Sequence, residues 1–134
     1  NSYNQPDSIN AIDWTYKTTY KDLVDYYAAL AAIRHAHPGF CLGDAELVRE
    51  KLQFIEVDDP CVVAFRISGL EGIDTAKSLT VILNGSKKNA KVEIPQGNYT
   101  ILARGGQADA DGLGAYSGSY ISAPATSATI LAEN

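Results

Sequence analysis

Methionine is absent from all 134 residues, the first included, so the sequence is expected to be a processed product or an excised piece with neighbours outside it. Cysteine is nearly absent. One pair, Cys41 and Cys61, in a chain long enough to build its own core is not a disulfide framework. Free, partly buried thiols are expected ahead of a single bridge between them, which the sequence leaves open. Positive charge is scarce too: 11 Lys and Arg stand against 16 Asp and Glu, a net of −5. That balance argues against nucleic acid, whose phosphates need a clustered basic face, and against an anionic membrane surface. No apolar run approaches the ~20 residues of a spanning helix, and no leader-type basic and apolar regions open the sequence.

What is present is the composition of one globular domain, 46% apolar and 20% charged. A chain of this length buries about two-thirds of its unfolded surface. Residues 1–17 (NSYNQPDSINAIDWTYK) carry loop chemistry, with Asx-type turns near Asn4 and Asp7 and a single turn around Asn10. One helix is predicted from about Tyr20 to His37, opened by a Thr19–Asp22 capping box and stopped by Pro38-Gly39. Its stripe of Tyr20, Leu23, Val24, Tyr27, Leu30 and Ala31 is widened by Tyr26, Ala29, Ala32 and Ile33. An apolar surface that broad calls for two packing partners, and the rest of the chain supplies only one.

From Leu52 onward the sequence alternates. Cys61, Val63, Phe65 and Ile67 point to one face while Val62, Ala64, Arg66 and Ser68 point to the other. The same period runs through Leu79-Val81-Leu83, Val92-Ile94, Tyr99-Ile101-Ala103 and Ala128-Ile130-Ala132. Turn residues separate these runs: Gly69 to Gly72, Asn84-Gly85-Ser86, Pro95-Gln96-Gly97, Gly105-Gly106 and Gly112 to Gly118. Seven or eight short antiparallel strands of this kind predict a mainly β fold, a Greek-key β-sandwich preceded by one helix.

No constellation of catalytic residues emerges. His35 and His37 leave opposite sides of a helix and cannot share a zinc ion with Cys41 and Cys61. Asp109-Ala110-Asp111-Gly112 echoes part of a calcium loop, with Gly114 at the sixth place counted from Asp109, but Tyr120 stands at the twelfth place where a bidentate Glu is needed. The glycine pairs lie between strands rather than ahead of a helix, so they form no phosphate cradle. Both histidines sit at the helix end, away from any Ser/His/Asp arrangement on the strands. No cofactor and no metal are expected. Eight Tyr and one Trp include Tyr116 and Tyr120, candidates for a sugar-stacking face, which leaves an autonomous α-glucan-binding module as an alternative function.

The opening segment Asn1-Ser2-Tyr3-Asn4-Gln5-Pro6-Asp7-Ser8-Ile9-Asn10-Ala11-Ile12-Asp13-Trp14 resembles the N-S-Y-N-x-P-D-x-x-N-x-I-D-W stretch of bacterial type I pullulanases, starch-debranching enzymes of the α-amylase superfamily. Tyr20-Lys21-Asp22, Tyr26-Tyr27 and Ile33-Arg34-His35-Ala36-His37-Pro38-Gly39-Phe40 resemble the family's Y-K-D…Y-Y…L-R-x-A-H-P-A-F helix, with Gly39 in place of the usual Ala. Leu52-Gln53-Phe54, Val62-Val63-Ala64-Phe65 and Ser127 to Leu131 are similar to its final β-domain.

The resemblance implies that residues 1–40 are the terminal loop and last helix of a (β/α)8 barrel. Residues 41–51 are then a connector and 52–134 the C-terminal β-sandwich. It implies a parent that hydrolyses α-1,6-glucosidic branches with retention, through carboxylates lying upstream of Asn1. The 134 residues themselves would then be non-catalytic. The absent barrel is the expected partner, α-glucan is reached through the parent, and a dimer contact through the exposed helix face is a further expectation. Loops after barrel strands line the active face, so Asn1, Tyr3, Asn4 and Asp7 are the candidate rim residues, bonded either within their own loop or to substrate. The source implied is bacterial, with the compartment open between cytoplasm and export.

Overall fold

The computed structural model describes residues 2–134. Two single turns, α1 (Asp7–Asn10) and α2 (Tyr16–Thr19), lead into the long helix α3 (Lys21–Ala36). A 3-10 turn, Pro38–Cys41, and a short helix α4 (Ala45–Lys51) follow. Then come the strands β1 (Leu52–Ile55), β2 (Val62–Ser68), β3 (Ser78–Asn84), β4 (Ala90–Arg104), β5 (Gln107–Ala108), β6 (Gly114–Ala123) and β7 (Ser127–Glu133). Every pairing is antiparallel.

The strands form one sheet in the order β1-β2-β3-β7-β4-β5, with β6 on β4. β7 steps past the β4–β6 hairpin to lie between β3 and β4, the crossing of a Greek-key connection. β4 is the strand that turns this sheet into a sandwich. Its first half pairs only with β6, its second half with both β6 and β7, and the register shifts between Glu93 and Gly97. Pro95-Gln96-Gly97, expected as a turn between two strands, is therefore a bulge inside one. Pro95 has no amide to lose at a bulge. The buried Tyr99 hydroxyl donates to the Pro95 carbonyl at 2.6 Å, tying the two sides of the irregularity together.

Two apolar clusters result. The inner one gathers Val62, Ala64 and Ile82 with Val92, Ile94, Tyr99, Ile121 and Leu131, between the curled halves of the sheet. The outer one sets Ile33 of α3 against Ile67, Leu70, Leu79 and Ala132. The registers order the outward side chains of β1, β2, β3 and β7 into three rows. The first is Leu52, Ile67, Leu79 and Ala132; the second Phe54, Phe65, Val81 and Ile130; the third Val63, Leu83 and Ala128. All eleven are apolar, and α3 lies over the first row.

Other local expectations need correction. The capping box does not form: Tyr20, not Thr19, is the residue before α3, and it makes no side-chain cap. Thr19 closes the preceding turn instead, and its hydroxyl bonds back to the Thr15 carbonyl at 3.2 Å. α4 lies in the stretch read as a connector. Asp44 starts it by accepting from the amides of Glu46 (2.7 Å) and Leu47 (3.1 Å). Cys41 and Cys61 are free, but exposed rather than partly buried. No described helix is long and apolar enough to cross a membrane.

Candidate functional site

The N-terminal segment is short of core but not of internal bonds. The Gln5 amide donates to the Ser2 carbonyl at 3.1 Å, closing a turn in which Asn4 adopts a left-handed φ of 59°. Asparagine tolerates that region better than most residues. Asn10 then staples the turn, its side-chain amide donating to the carbonyls of Ser2 (3.0 Å) and Gln5 (2.9 Å). Tyr3 and Asn4 are held exposed on this turn, and Asp7 is exposed at the start of α1. Asn1 lies outside the described residues. Three of the four candidate rim residues thus share one pinned loop. Asn10, which does the pinning, stood in the opening motif without a role; its side-chain amide spaced from two carbonyls was the available signal.

Beyond the loop, Asp13 accepts from both the amide (2.9 Å) and the hydroxyl (2.6 Å) of Thr15. Those bonds hold its carboxyl below the usual range. They also turn the chain so that Ile12, Trp14, Tyr16, Tyr20, Leu23 and Val24 line a shallow, almost wholly apolar depression. Trp14 is 74% exposed and Tyr27, one turn beyond Leu23, is 67% exposed. The broad apolar surface of α3 accordingly divides in two. Tyr26, Leu30 and Ile33 turn to the β-domain, while Tyr20, Leu23 and Tyr27 face water.

The C-terminal end of α3 is bolted to the β-domain through Asp74, a residue the sequence reading did not single out. Its side chain is fully covered. His37 Nδ1 lies 2.8 Å from one carboxylate oxygen; the Gly39 amide donates to the other at 2.9 Å, and the Ala76 amide to the first at 2.9 Å. Burial pushes the Asp74 carboxyl up, but the bonds from Ala76, His37 and Gly39 outweigh it and leave it ionised below the ordinary range. With Asp74 able only to accept, the His37 ring N–H is the donor. A second knot, Arg66–Glu133 at 2.5 Å with Ser78 donating to Glu133 at 2.6 Å, joins β2, β3 and β7. There too burial raises the Glu133 carboxyl and the bonds from Ser78 and Arg66 lower it further than that.

The aromatic pair on β6 is not a flat platform. The Tyr116 hydroxyl turns back onto the Tyr120 carbonyl, and its ring packs against the inner core. Tyr120 alone stays open, with the Lys91 ammonium 4.2 Å from its ring centre. Among the described residues no three His, Cys, Asp or Glu side chains converge to hold a metal. His37 is engaged by Asp74, whereas His35 is exposed.

Residues 48–107 match the family model described as the all-beta domain of pullulanase. The pullulanase of Bacillus subtilis strain 168 is 33% identical over 95 residues, which is 71% of this chain and 13% of that protein. The solved structure of the pullulanase from Bacillus acidopullulyticus superposes with a TM-score of 0.90 at 33% identity, over 99% of this chain and 16% of that one. The type I pullulanase of Bacillus subtilis, solved in complex with maltose, gives a TM-score of 0.86 at 26% identity, covering 99% of this chain and 18% of its own. The chain spans under a fifth of the length of each of these relatives. By sequence and by fold, then, the chain belongs with the pullulanases, as a piece built around their all-beta domain.

Proposed function

We propose that the chain is the non-catalytic closing piece of a pullulanase-type enzyme, one that hydrolyses α-1,6-glucosidic branches in pullulan, amylopectin or glycogen with retention. In this reading residues 1–40 complete a (β/α)8 barrel with its terminal loop and last helix, 41–51 connect, and the sandwich of 52–134 packs on the barrel and stabilises it. The observation that carries the proposal is the doubly apolar α3. One face is seated on the sheet, and the opposite one offers Tyr20, Leu23 and Tyr27 together with Trp14 to a partner. Each large side chain taken out of water contributes about 1.5–3 kcal/mol, enough for four of them to hold two bodies together. Tyr3, Asn4 and Asp7 then stand on the rim of the glucan cleft, where a phenol, an amide and a carboxylate can hydrogen-bond sugar hydroxyls. The inward turn of Tyr116 weighs against a separate glucan-binding module, which needs coplanar exposed rings.

Trp14 is the only tryptophan of the chain and reports on its own surroundings. With 5-fluorotryptophan at position 14, the fluorine resonance is expected at a solvent-exposed shift in the 134-residue chain. It should move to a buried, quencher-protected one when an unlabelled catalytic portion of the parent is added. The chain alone is expected to release no reducing sugar from pullulan. An unmoved resonance, or turnover by the isolated chain, overturns the proposal.

A further inference from the structure

Asn84-Gly85 is the single Asn-Gly step in the sequence, a pair that ordinarily marks a tight hairpin turn. The fold uses it otherwise. Asn84 ends β3 and is 3% exposed. Its side-chain nitrogen donates to the carbonyls of Lys88 (2.8 Å), Pro124 (3.0 Å) and Ala123 (3.1 Å), and its oxygen accepts from the Ser86 amide at 2.9 Å. One side chain thus ties the end of β3 to the loop before β4 and to the turn between β6 and β7. Gly85 lies close against the loop before β2. Its amide donates to the Cys61 carbonyl at 2.9 Å, and an added Cβ would stand 3.2 Å from that oxygen.

The same pair carries a chemistry that the fold holds off. In an open chain an asparagine followed by glycine cyclises readily, because no side chain shields the glycine nitrogen and its backbone is the least restricted. The Gly85 nitrogen gives its proton to hydroxide and attacks Asn84 Cγ. The N–Cγ bond forms, the Cγ–Nδ2 bond breaks, and Nδ2 takes a proton from water and leaves as ammonia. Water then opens the five-membered imide at one of its two carbonyls, giving an aspartate or its β-linked isomer at position 84. The sum is amide plus water to carboxylic acid plus ammonia, with nothing oxidised or reduced. In the folded chain the first step is blocked twice. The nucleophile is committed to Cys61, and the Asn84 side chain cannot swing toward it without releasing its buried hydrogen bonds together.

We propose that Asn84-Gly85 is a modification site closed by folding and opened by unfolding, whose deamidation makes the opening irreversible. The product does not fit the place it came from. An ionised aspartate only accepts, so an oxygen would replace the donor among the Lys88, Ala123 and Pro124 carbonyls, buried and unpaired. The β-linked isomer inserts a backbone atom where Asn84 pairs with Val62 of β2 and Ser127 of β7. A chain that stays open long enough to react is thereby kept from closing again.

Ageing the chain at mildly alkaline pH, in urea concentrations spanning its unfolding transition, tests this. Samples are digested, and the peptide carrying position 84 is weighed for replacement of the amide by a carboxyl group. Deamidation there is expected to follow the unfolded fraction and to run at least about a hundredfold slower without urea than in the fully unfolded chain. On dilution from urea, the fraction that fails to refold should match the fraction converted. Gly85→Ala obstructs the cyclisation and should lose its ability to refold severalfold more slowly. Asn84→Asp, made directly, should be recovered unfolded or with a lowered urea midpoint. Equal rates at position 84 with and without urea overturn the protection. Loss of refolding that is as fast in Gly85→Ala, or an Asn84→Asp chain as stable as the original, overturns the irreversibility and the proposal with it.

Discussion

At Thr80 and Thr129 the inner core holds two fully buried hydroxyls with no hydrogen-bond partner. Neither hydroxyl recovers what it lost on leaving water. Thr129→Val, which keeps the side-chain shape, is therefore expected to raise stability by about 1 kcal/mol, read as a higher urea midpoint at unchanged slope. Gly39 behaves oppositely. A Cβ there would come 2.8 Å from Leu70 Cδ1 and 3.0 Å from Leu79 Cδ1, both on fully buried side chains. Gly39→Ala is expected to cost about 1–3 kcal/mol, seen in the same denaturation curve. Asp74 and Glu133 make the chain acid-sensitive. Their carboxyls lie lower in the folded state than the ordinary values of 3.8 and 4.5. The stability they contribute is complete above about pH 5 and is lost as pH falls through those values toward the lower folded ones. Asp74→Asn should lower stability near neutrality by about 1.5–3 kcal/mol and flatten the acid limb of stability against pH.

Among the elements, β2 was the most legible in the sequence. Its strict alternation assigns Val62 and Ala64 to one face and Val63, Phe65 and Ile67 to the other, and the registers agree. The breadth of the α3 surface was legible too, although the division of its residues was not. Tyr26 and Tyr27 are neighbours in the chain, and only the docked sheet decides which of them meets Gln107 and Leu113. Pro95 and Gly97 escaped because turn and bulge use the same residues; what selects the bulge is Tyr99, buried by contacts far away in sequence. α4 is seven residues long, too few for a helical period to register, although Asp44 marks its start. Of the candidate site, the loop character of residues 1–17 was legible in its Asn, Asp and Pro but its pinning by Asn10 was not, and the Asp74 bolt depends on two segments 35 residues apart. Because Leu23 and Tyr27 are more than half exposed on the outer face of α3, Leu23→Lys and Tyr27→Lys are expected to change the chain's own stability by no more than about 0.5 kcal/mol. Thermal melts of the variants check this.

For the molecule as a whole, the relation to the larger relatives turns on which surfaces stay apolar. Two do: the α3 outer face with Trp14, and the sheet rows around Phe54. Two hydrogen-bonded knots, Asp74 at the helix end and Glu133 on the last strand, tie the rest together. β4 carries a further consequence. The same unbroken strand gives Val92 to the inner cluster and Leu102 to the outer one, so neither half of the sheet can come apart while the other keeps its backbone partners. The amide protons of Val92 and Leu102 should then trade with heavy water through one shared opening event, slowing and quickening together across denaturant concentrations.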